Sequence, residues 1–489
     1  MSRYLLTDAL PARLSRRSLM VSTAAALFGY SARALGETGH SPPAYLLMSD
    51  PFRPQSHLLP PHGWMNDPCG PVFANGTYHL FYQWNPDAAV WGNMHWGHAT
   101  SRDLVRWEHQ VVALSPQPDG PDSSGVFTGD VVLDGQQAIA VYTGLKTGRA
   151  PDQVQCIATS DLTMTHWRQE AYPVLPVGPP GLKIRGFRDP KIWREGDTWV
   201  MLVGSSIENQ GGVILRYEGR DLRDWSYKGI FYGPSDLRGG DDALECPDFF
   251  RVGARHALIF SINWVVHVAT GDYVNRKFRP LTLDALGYGN FYAARSMLDA
   301  QGRRTLFGWI TEKPWQAGAA ADRGWSGVMS FPRLLVAGPD GKVRSHLHPS
   351  VEALHGEILF SGSPKEPVTL PGPCVRIRVR FDASSAGELV FSRTDRFLHL
   401  DYNPQKTGAE VSCNEDTVPL SSSRSAELDI YVDASVIEIF TSDGSALNTR
   451  AYGDPGGPFT LKNSGCFQNA DYEICLLKPV SGNRLTGIL

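Results

Sequence analysis

The chain has 489 residues, more than one hydrophobic core usually serves, so two domains are expected. Charged residues make up 20% and the formal net charge is only -4, which argues against a nucleic-acid partner and against a basic membrane-binding surface. Thirteen tryptophans among 10% aromatic residues suit a carbohydrate binder, because sugar rings present flat C–H faces, although core packing must account for most of them.

At the start, Ser15-Arg16-Arg17-Ser18-Leu19-Met20 precedes an apolar stretch from Val21 to Tyr30 and a small-x-small pattern, Ala32-Arg33-Ala34. This reads as a twin-arginine export signal spanning residues 1–34, removed to leave a periplasmic or secreted protein with no membrane anchor. The apolar stretch is too short to span a bilayer.

Five strand-turn-strand hairpins follow. Their strands begin near Pro71, Asp130, Lys191, Asp248 and Ala294, with turns at Asn75-Gly76, Asp134-Gly135, Glu195-Gly196-Asp197, Gly253 and Gln301-Gly302. A hairpin every fifty to sixty residues or so is the mark of a five-bladed β-propeller, placed at residues 35–350. Each hairpin is preceded by a candidate site segment: Asp67, Phe127-Thr128, Arg188-Asp189, Glu245 and Phe291-Tyr292. If the following strand is the innermost of its blade, all five segments meet at one mouth of the central channel, the convergence that catalysis requires.

Beyond about Pro349 alternating runs such as Val375-Arg376-Ile377-Arg378-Val379-Arg380-Phe381 predict an antiparallel β-sandwich over residues 351–489, with a Pro/Gly/Ser-rich loop from Gly362 to Pro373. The fold class is therefore all-β. Seven cysteines without a CxxC pair leave at least one thiol unpaired, and only Cys374, Cys413, Cys466 and Cys475 are plausible bridge partners. His95 and His98 are too close together to read as a zinc pair, so no metal and no cofactor are expected.

Three carboxylates stand in short motifs: Asp67 in Trp64-Met65-Asn66-Asp67-Pro68, Asp189 in Phe187-Arg188-Asp189-Pro190 and Glu245 in Glu245-Cys246-Pro247-Asp248. One ionised and one protonated carboxyl are the equipment of a retaining glycoside hydrolase. In this order, together with Phe81-Tyr82-Gln83-Trp84-Asn85-Pro86, Trp91-Gly92-Asn93, His95-Trp96-Gly97-His98, Gly324-Trp325-Ser326-Gly327 and Asp433-Ala434-Ser435-Val436-Ile437-Glu438-Ile439-Phe440, they resemble glycoside hydrolase family 32, the invertases, inulinases, levanases and fructan exohydrolases. The resemblance implies Asp67 as nucleophile, Glu245 as acid/base with a raised pKa, and Asp189 as acceptor of fructose hydroxyls. It also implies that Trp64, Asn66, Gln83, Trp91, Phe127, Thr128, Arg188, Asn290 and Tyr292 line the sugar site, with Arg188 holding the nucleophile region or a hydroxyl.

Two departures from the family pattern stand out. Cys69 replaces an Asn, and Gly287 and Asn290 replace the Asp and Lys of a plant-type segment that grips glucose. The resemblance implies an exo-acting β-fructosidase on small or polymeric fructosides, and the missing charged pair favours fructans (levan or inulin) over sucrose, unless Arg295 or Lys313 holds the glucose instead. A sucrose-preferring invertase, a transfructosylating enzyme and a non-catalytic fructan-binding protein are the alternatives. The oligomeric state is not legible.

Overall fold

The computed structural model describes residues 44–312, 322–394, 396–405, 409–420, 424–453 and 457–481; the expected export signal and Lys313 lie outside the described residues. Five antiparallel sheets are arranged as blades. From inner to outer strand, blade I runs Gly63–Ala74, Thr77–Asn85, His95–Ser101 and Trp107–His109, and blade II runs Gly125–Asp134, Gln137–Leu145, Gln153–Asp161 and Arg168–Gln169. Blade III runs Ile184–Glu195, Thr198–Ile207, Gly211–Gly219 and Ser226–Ser235, and blade IV runs Glu245–Val252, Arg255–Ile262, Val265–Val274 and Lys277–Ala285. Blade V is built from Phe291–Leu298, Arg304–Ile310, Arg333–Ala337 and Val343–Leu347. The first strands of neighbouring blades adjoin around the centre, I to II to III to IV to V and back to I. Every hairpin read from the sequence is present.

Middle strands such as Thr198–Ile207 and Gly211–Gly219 are buried on both faces, which explains why they read as continuous apolar runs, while outer strands such as Ser226–Ser235 and Lys277–Ala285 are largely exposed. In blade II, Ala138, Ala140 and Tyr142 pack toward Phe81 and Trp96 of blade I, while the intervening Ile139 and Val141 pack toward Phe187 and Met201 of blade III. In blade IV, Leu258 and Phe260 meet Leu202 and Ile214 of blade III, whereas Ala257 and Ile259 meet Phe291 and Leu306 of blade V. Met65 and Leu80 against Met297 and Phe307 complete the circle between blades I and V. Period-2 side-chain alternation thus gives each blade two apolar faces, and each large side chain buried there contributes roughly 1.5–3 kcal/mol.

The ring closes between blades V and I through a parallel pairing of Trp325–Ser326 with Gly63–Trp64. Gly327 follows at φ +81°, where a Cβ would stand 1.8 Å from the carbonyl oxygen of Met65, so only glycine lets the two backbones approach. The Gly-Trp-Ser-Gly motif is therefore a closure device.

Behind blade V, a 3-10 turn at Pro349–Leu354 leads into a sandwich of a seven-stranded and a six-stranded sheet. Ile377, Val379, Ile430 and Ile474 of the first sheet bury against Leu389, Phe391 and Leu400 of the second. The expected loop at 362–373 carries a short strand, Val368–Leu370, paired with Phe459–Leu461. Asp433 accepts the backbone N–H groups of Gln55, Ser56 and His57 at 2.8, 2.8 and 3.1 Å, and the His57 ring bridges Asp433 and Glu438 at 2.7 and 3.0 Å. Glu438 also holds Arg333 of blade V at 2.8 Å and the N–H of Phe331 at 2.7 Å. The Asp-Ala-Ser-Val-Ile-Glu-Ile-Phe signature is thus a clasp between sandwich and propeller. Cys69, Cys156 and Cys246 are free thiols, as are Cys466 and Cys475 of the four considered as bridge partners. Among the described residues no helix is long and apolar enough to cross a membrane.

Candidate active site

Each of the five innermost strands breaks register at its candidate segment. The shifts fall between Met65 and Pro68, Val126 and Gly129, Glu245 and Asp248, and Tyr292 and Arg295, and in blade III one lies across Asp189-Pro190 and a second at Gly186. Asp189, Cys246 and Ala293 have left-handed φ values of +62°, +51° and +53°. A bulge turns a side chain that would face a neighbouring blade toward the channel mouth instead. Pleating alone would not present Asp67, Thr128, Asp189, Glu245 and Tyr292 together.

Asp67 stands at one corner. Asn66 Nδ2 donates to its Oδ1 at 3.1 Å; Gln83 Nε2 and Thr128 Oγ1 donate to Oδ2 at 3.2 and 2.5 Å. Gln83 and Thr128 also bond to each other. Trp64 Nε1 fixes Asn66 through a 2.9 Å bond to Oδ1. Trp91, 48% exposed, leans edge-on against Phe127 with ring centroids 5.7 Å apart, forming the rim on this side.

Asp189 and Glu245 form the opposite wall. Glu245 Oε1 accepts from Arg188 at 2.9 Å, and its Oε2 accepts from the Tyr292 hydroxyl. Arg188 also forks onto Asp241 with bonds of 2.7 and 2.9 Å. Burial opposes the charge on Arg188, but Glu245 and Asp241 hold it protonated. Asp189 is fully enclosed, and its carboxyl is pushed up to about 7, first by burial and then by the charges of Asp67 and Glu245, with Arg188 pulling the other way. Cys246 lies between the corners, with Sγ 3.4 Å from Asp67 Oδ2 and 3.6 Å from Asp189 Oδ2, and its backbone N–H donates to Asp189 at 3.1 Å. Burial, then the two carboxylates, push this thiol well above its ordinary range, so it is a protonated donor.

A charged layer lies under the acids. Arg295 donates to the carbonyls of Pro247 and Asp189 at 2.9 and 3.0 Å, pinning two of the bulges from below. Lys191 bridges Asp130 and Asp248, both at 3.1 Å.

Several expectations need correcting. Arg188 grips Glu245 and Asp241 rather than the nucleophile corner. Asn290 is buried and its amide donates to the Thr311 carbonyl at 3.0 Å, while its backbone N–H binds Asn448; it tethers blade V to the sandwich. Gly287 packs against the Phe291 ring, where a Cβ would come within 2.2 Å of Cδ1. Arg295 is wholly buried and cannot reach a glucose ring. Asp241 and Cys246 were missed as site groups. Asp241 stands in no motif, and the one available clue was an arginine with two acids to balance. A trio that could hold a cation, Glu388, His399 and Asp401, lies on the six-stranded sheet of the sandwich, apart from the acid cluster.

Residues 57–346 match the Glycosyl hydrolases family 32 N-terminal domain, and residues 372–471 match the family's C-terminal domain. The chain belongs to glycosyl hydrolase family 32. It is a glycoside hydrolase built as a five-bladed propeller with a β-sandwich. It is 34% identical to the sucrose-6-phosphate hydrolase of Escherichia coli over 446 residues, spanning 83% of this chain and 90% of the relative. The raffinose invertase of Escherichia coli is 32% identical over 443 residues, spanning 82% and 89%. Among solved structures, the Bombyx mori GH32 beta-fructofuranosidase BmSUC1 superposes with a TM-score of 0.77 at 28% identity, covering 89% of this chain and 97% of that one.

Proposed function

We propose that this protein is a retaining, exo-acting β-fructofuranosidase, with sucrose as its reference substrate and Asp67, Glu245 and Asp189 as its catalytic triad. The observation that carries this reading is the asymmetry between two carboxylates at one mouth. Asp67 is held by uncharged amide, hydroxyl and thiol donors, whereas Glu245 is shared between the charged Arg188 at Oε1 and the Tyr292 hydroxyl at Oε2. A carboxylate held by amide and hydroxyl donors is oriented for attack on the anomeric carbon, displacing the leaving oxygen as Glu245 protonates it. Glu245 then takes a proton from water, which releases fructose from the ester on Asp67 with configuration retained. Asp189, titrating near neutrality, can accept from or donate to fructose hydroxyls. Gln83, Thr128, Trp91 and Phe127 wall the fructose side.

The names of the curated relatives, sucrose-6-phosphate hydrolase and raffinose invertase, favour sucrose-type substrates. The sequence argument for fructans loses its support, because Asn290 and Gly287 are packed into blade V rather than offered to the leaving group. A fructan chain end remains the second reading: the rim around Glu245 is aromatic, and such rings accept glucose and fructose alike.

Sucrose, inulin and levan offered separately, with release of fructose followed, test the substrate. For the roles, Glu245→Gln and Asp67→Asn should each lower turnover of sucrose about a hundredfold to ten-thousandfold. An aryl fructoside with a good leaving group should partly rescue Glu245→Gln and not Asp67→Asn. Equal loss on both substrates in both variants overturns the assignment. Export through a twin-arginine signal is proposed on Arg16 and Arg17 alone; normal export after both become Lys would refute it.

A further inference from the structure

Trp264 is 55% exposed, an unusual state for so large an apolar side chain, and it occupies a conformation that disfavours it. Asn263 and Trp264 form the two-residue turn between Arg255–Ile262 and Val265–Val274, with φ of +52° and +63°. Such a turn favours Asn then Gly, because both positions need positive φ. A bulky side chain in this region is an outlier, and strain of this kind persists where the surroundings fix it.

The surroundings here are the acid wall. In blade IV Glu245 pairs with Ser261, so the turn at Asn263-Trp264 projects just beyond the acid. The Trp264 ring lies 5.3 Å from the ring of Tyr292, whose hydroxyl binds Glu245, and 6.3 Å from Trp309. Trp309 in turn meets Trp64 at 5.5 Å. Four aromatic rings, Trp264 of blade IV, Tyr292 and Trp309 of blade V and Trp64 of blade I, are therefore linked beside the acid/base, and Trp264 keeps more than half of its surface open.

From this arrangement, and resting on the fructosidase reading above, we infer that Trp264 is the stacking platform for the sugar ring of the leaving group. The fructosyl unit must lie over Asp67, and the scissile oxygen must face Glu245. The departing ring then sits on the Glu245 side, over Tyr292 and Trp264. A ring stacked there is a neutral pyranose or furanose presenting an apolar C–H face. Stacking of this kind requires no charged partner.

The test compares sucrose with methyl β-D-fructofuranoside, whose leaving group has no ring to stack. Trp264→Gly suits the turn and should fold with an unchanged or higher Tm. It is expected to lower kcat/KM on sucrose about tenfold, mainly through KM, which corresponds to about 1.4 kcal/mol. On the methyl fructoside it should leave kcat/KM within about twofold, and Trp264→Phe should restore most of the sucrose activity. Equal losses on both fructosides, or no loss on either, overturn the platform while the fructosidase assignment stands. A wild-type chain that cleaves neither fructoside overturns the fructosidase reading and the platform with it.

Discussion

Asp189 carries its proton into the neutral range because the fold encloses it, and that has a thermodynamic consequence. Its pKa rises from an ordinary 3.8 to about 7, so the folded chain binds this proton more tightly than the unfolded one. The linked stabilisation is complete below about pH 4 and is lost as pH rises through about 7. Neutralising the side chain should therefore matter only at higher pH. Asp189→Asn is expected to match wild-type stability near pH 4 and to exceed it at pH 8, by at most about 4 kcal/mol at 1.36 kcal/mol per unit. Scanning calorimetry across that range reads the difference; a gap that is flat or shrinks with pH contradicts the burial argument. The three acids could be found in the sequence because each sits in a motif whose neighbours also build the site. Asp241 could not, since its role exists only through the guanidinium of Arg188.

At the level of the strand, the hairpins were legible because turn residues and apolar runs are local signals. The bulges were not, because a register shift is a property of two strands. This is why the Asn290 segment was misread: the motif marks the right stretch, but the break between Tyr292 and Arg295 decides which side chains face the mouth. Tyr292 reaches Glu245, while Asn290 turns back to Thr311. The Phe291 ring beside them is packed over Gly287 and Gly308 and lies 4.1 Å under the Arg333 guanidinium. Restoring the family's charged pair by Gly287→Asp with Asn290→Lys should therefore not create a glucose grip. Overpacking at Phe291 is expected to cost about 1–3 kcal/mol, and the lost Thr311 bonds add to it. Lower Tm with no gain in kcat/KM on sucrose is the expected outcome; a stable variant with improved sucrose turnover would reinstate the charged-subsite argument.

For the molecule as a whole, sandwich and propeller are joined by buried charge rather than by apolar surface alone. His57 is enclosed, and although burial opposes its protonation, the bonds and charges of Asp433 and Glu438 raise its pKa above 6.5. Glu438 is pulled the other way to about 2, against burial, chiefly by His57 and Arg333. The contribution of His57 is thus fully present below about pH 6.5 and declines as pH rises through its folded value. His57→Gln leaves two acids short of a cation and should lower stability by about 3–5 kcal/mol, with a larger deficit at pH 6 than at pH 9. Denaturant midpoints at the two pH values check this, and an equal deficit at both would show that His57 is held neutral.

The pairing of Trp325–Ser326 with Gly63–Trp64 places the joint of the ring two residues before Asn66 and three before Asp67. Four of the five blade junctions are crossed by continuous chain, and this one is zipped. In the proposed substrate pose, a fructoside lying across the mouth would touch blade I on one side and blades IV and V on the other. Under the proposed function, bound substrate is therefore expected to act as a transient staple over this joint, so that saturating sugar should raise the Tm.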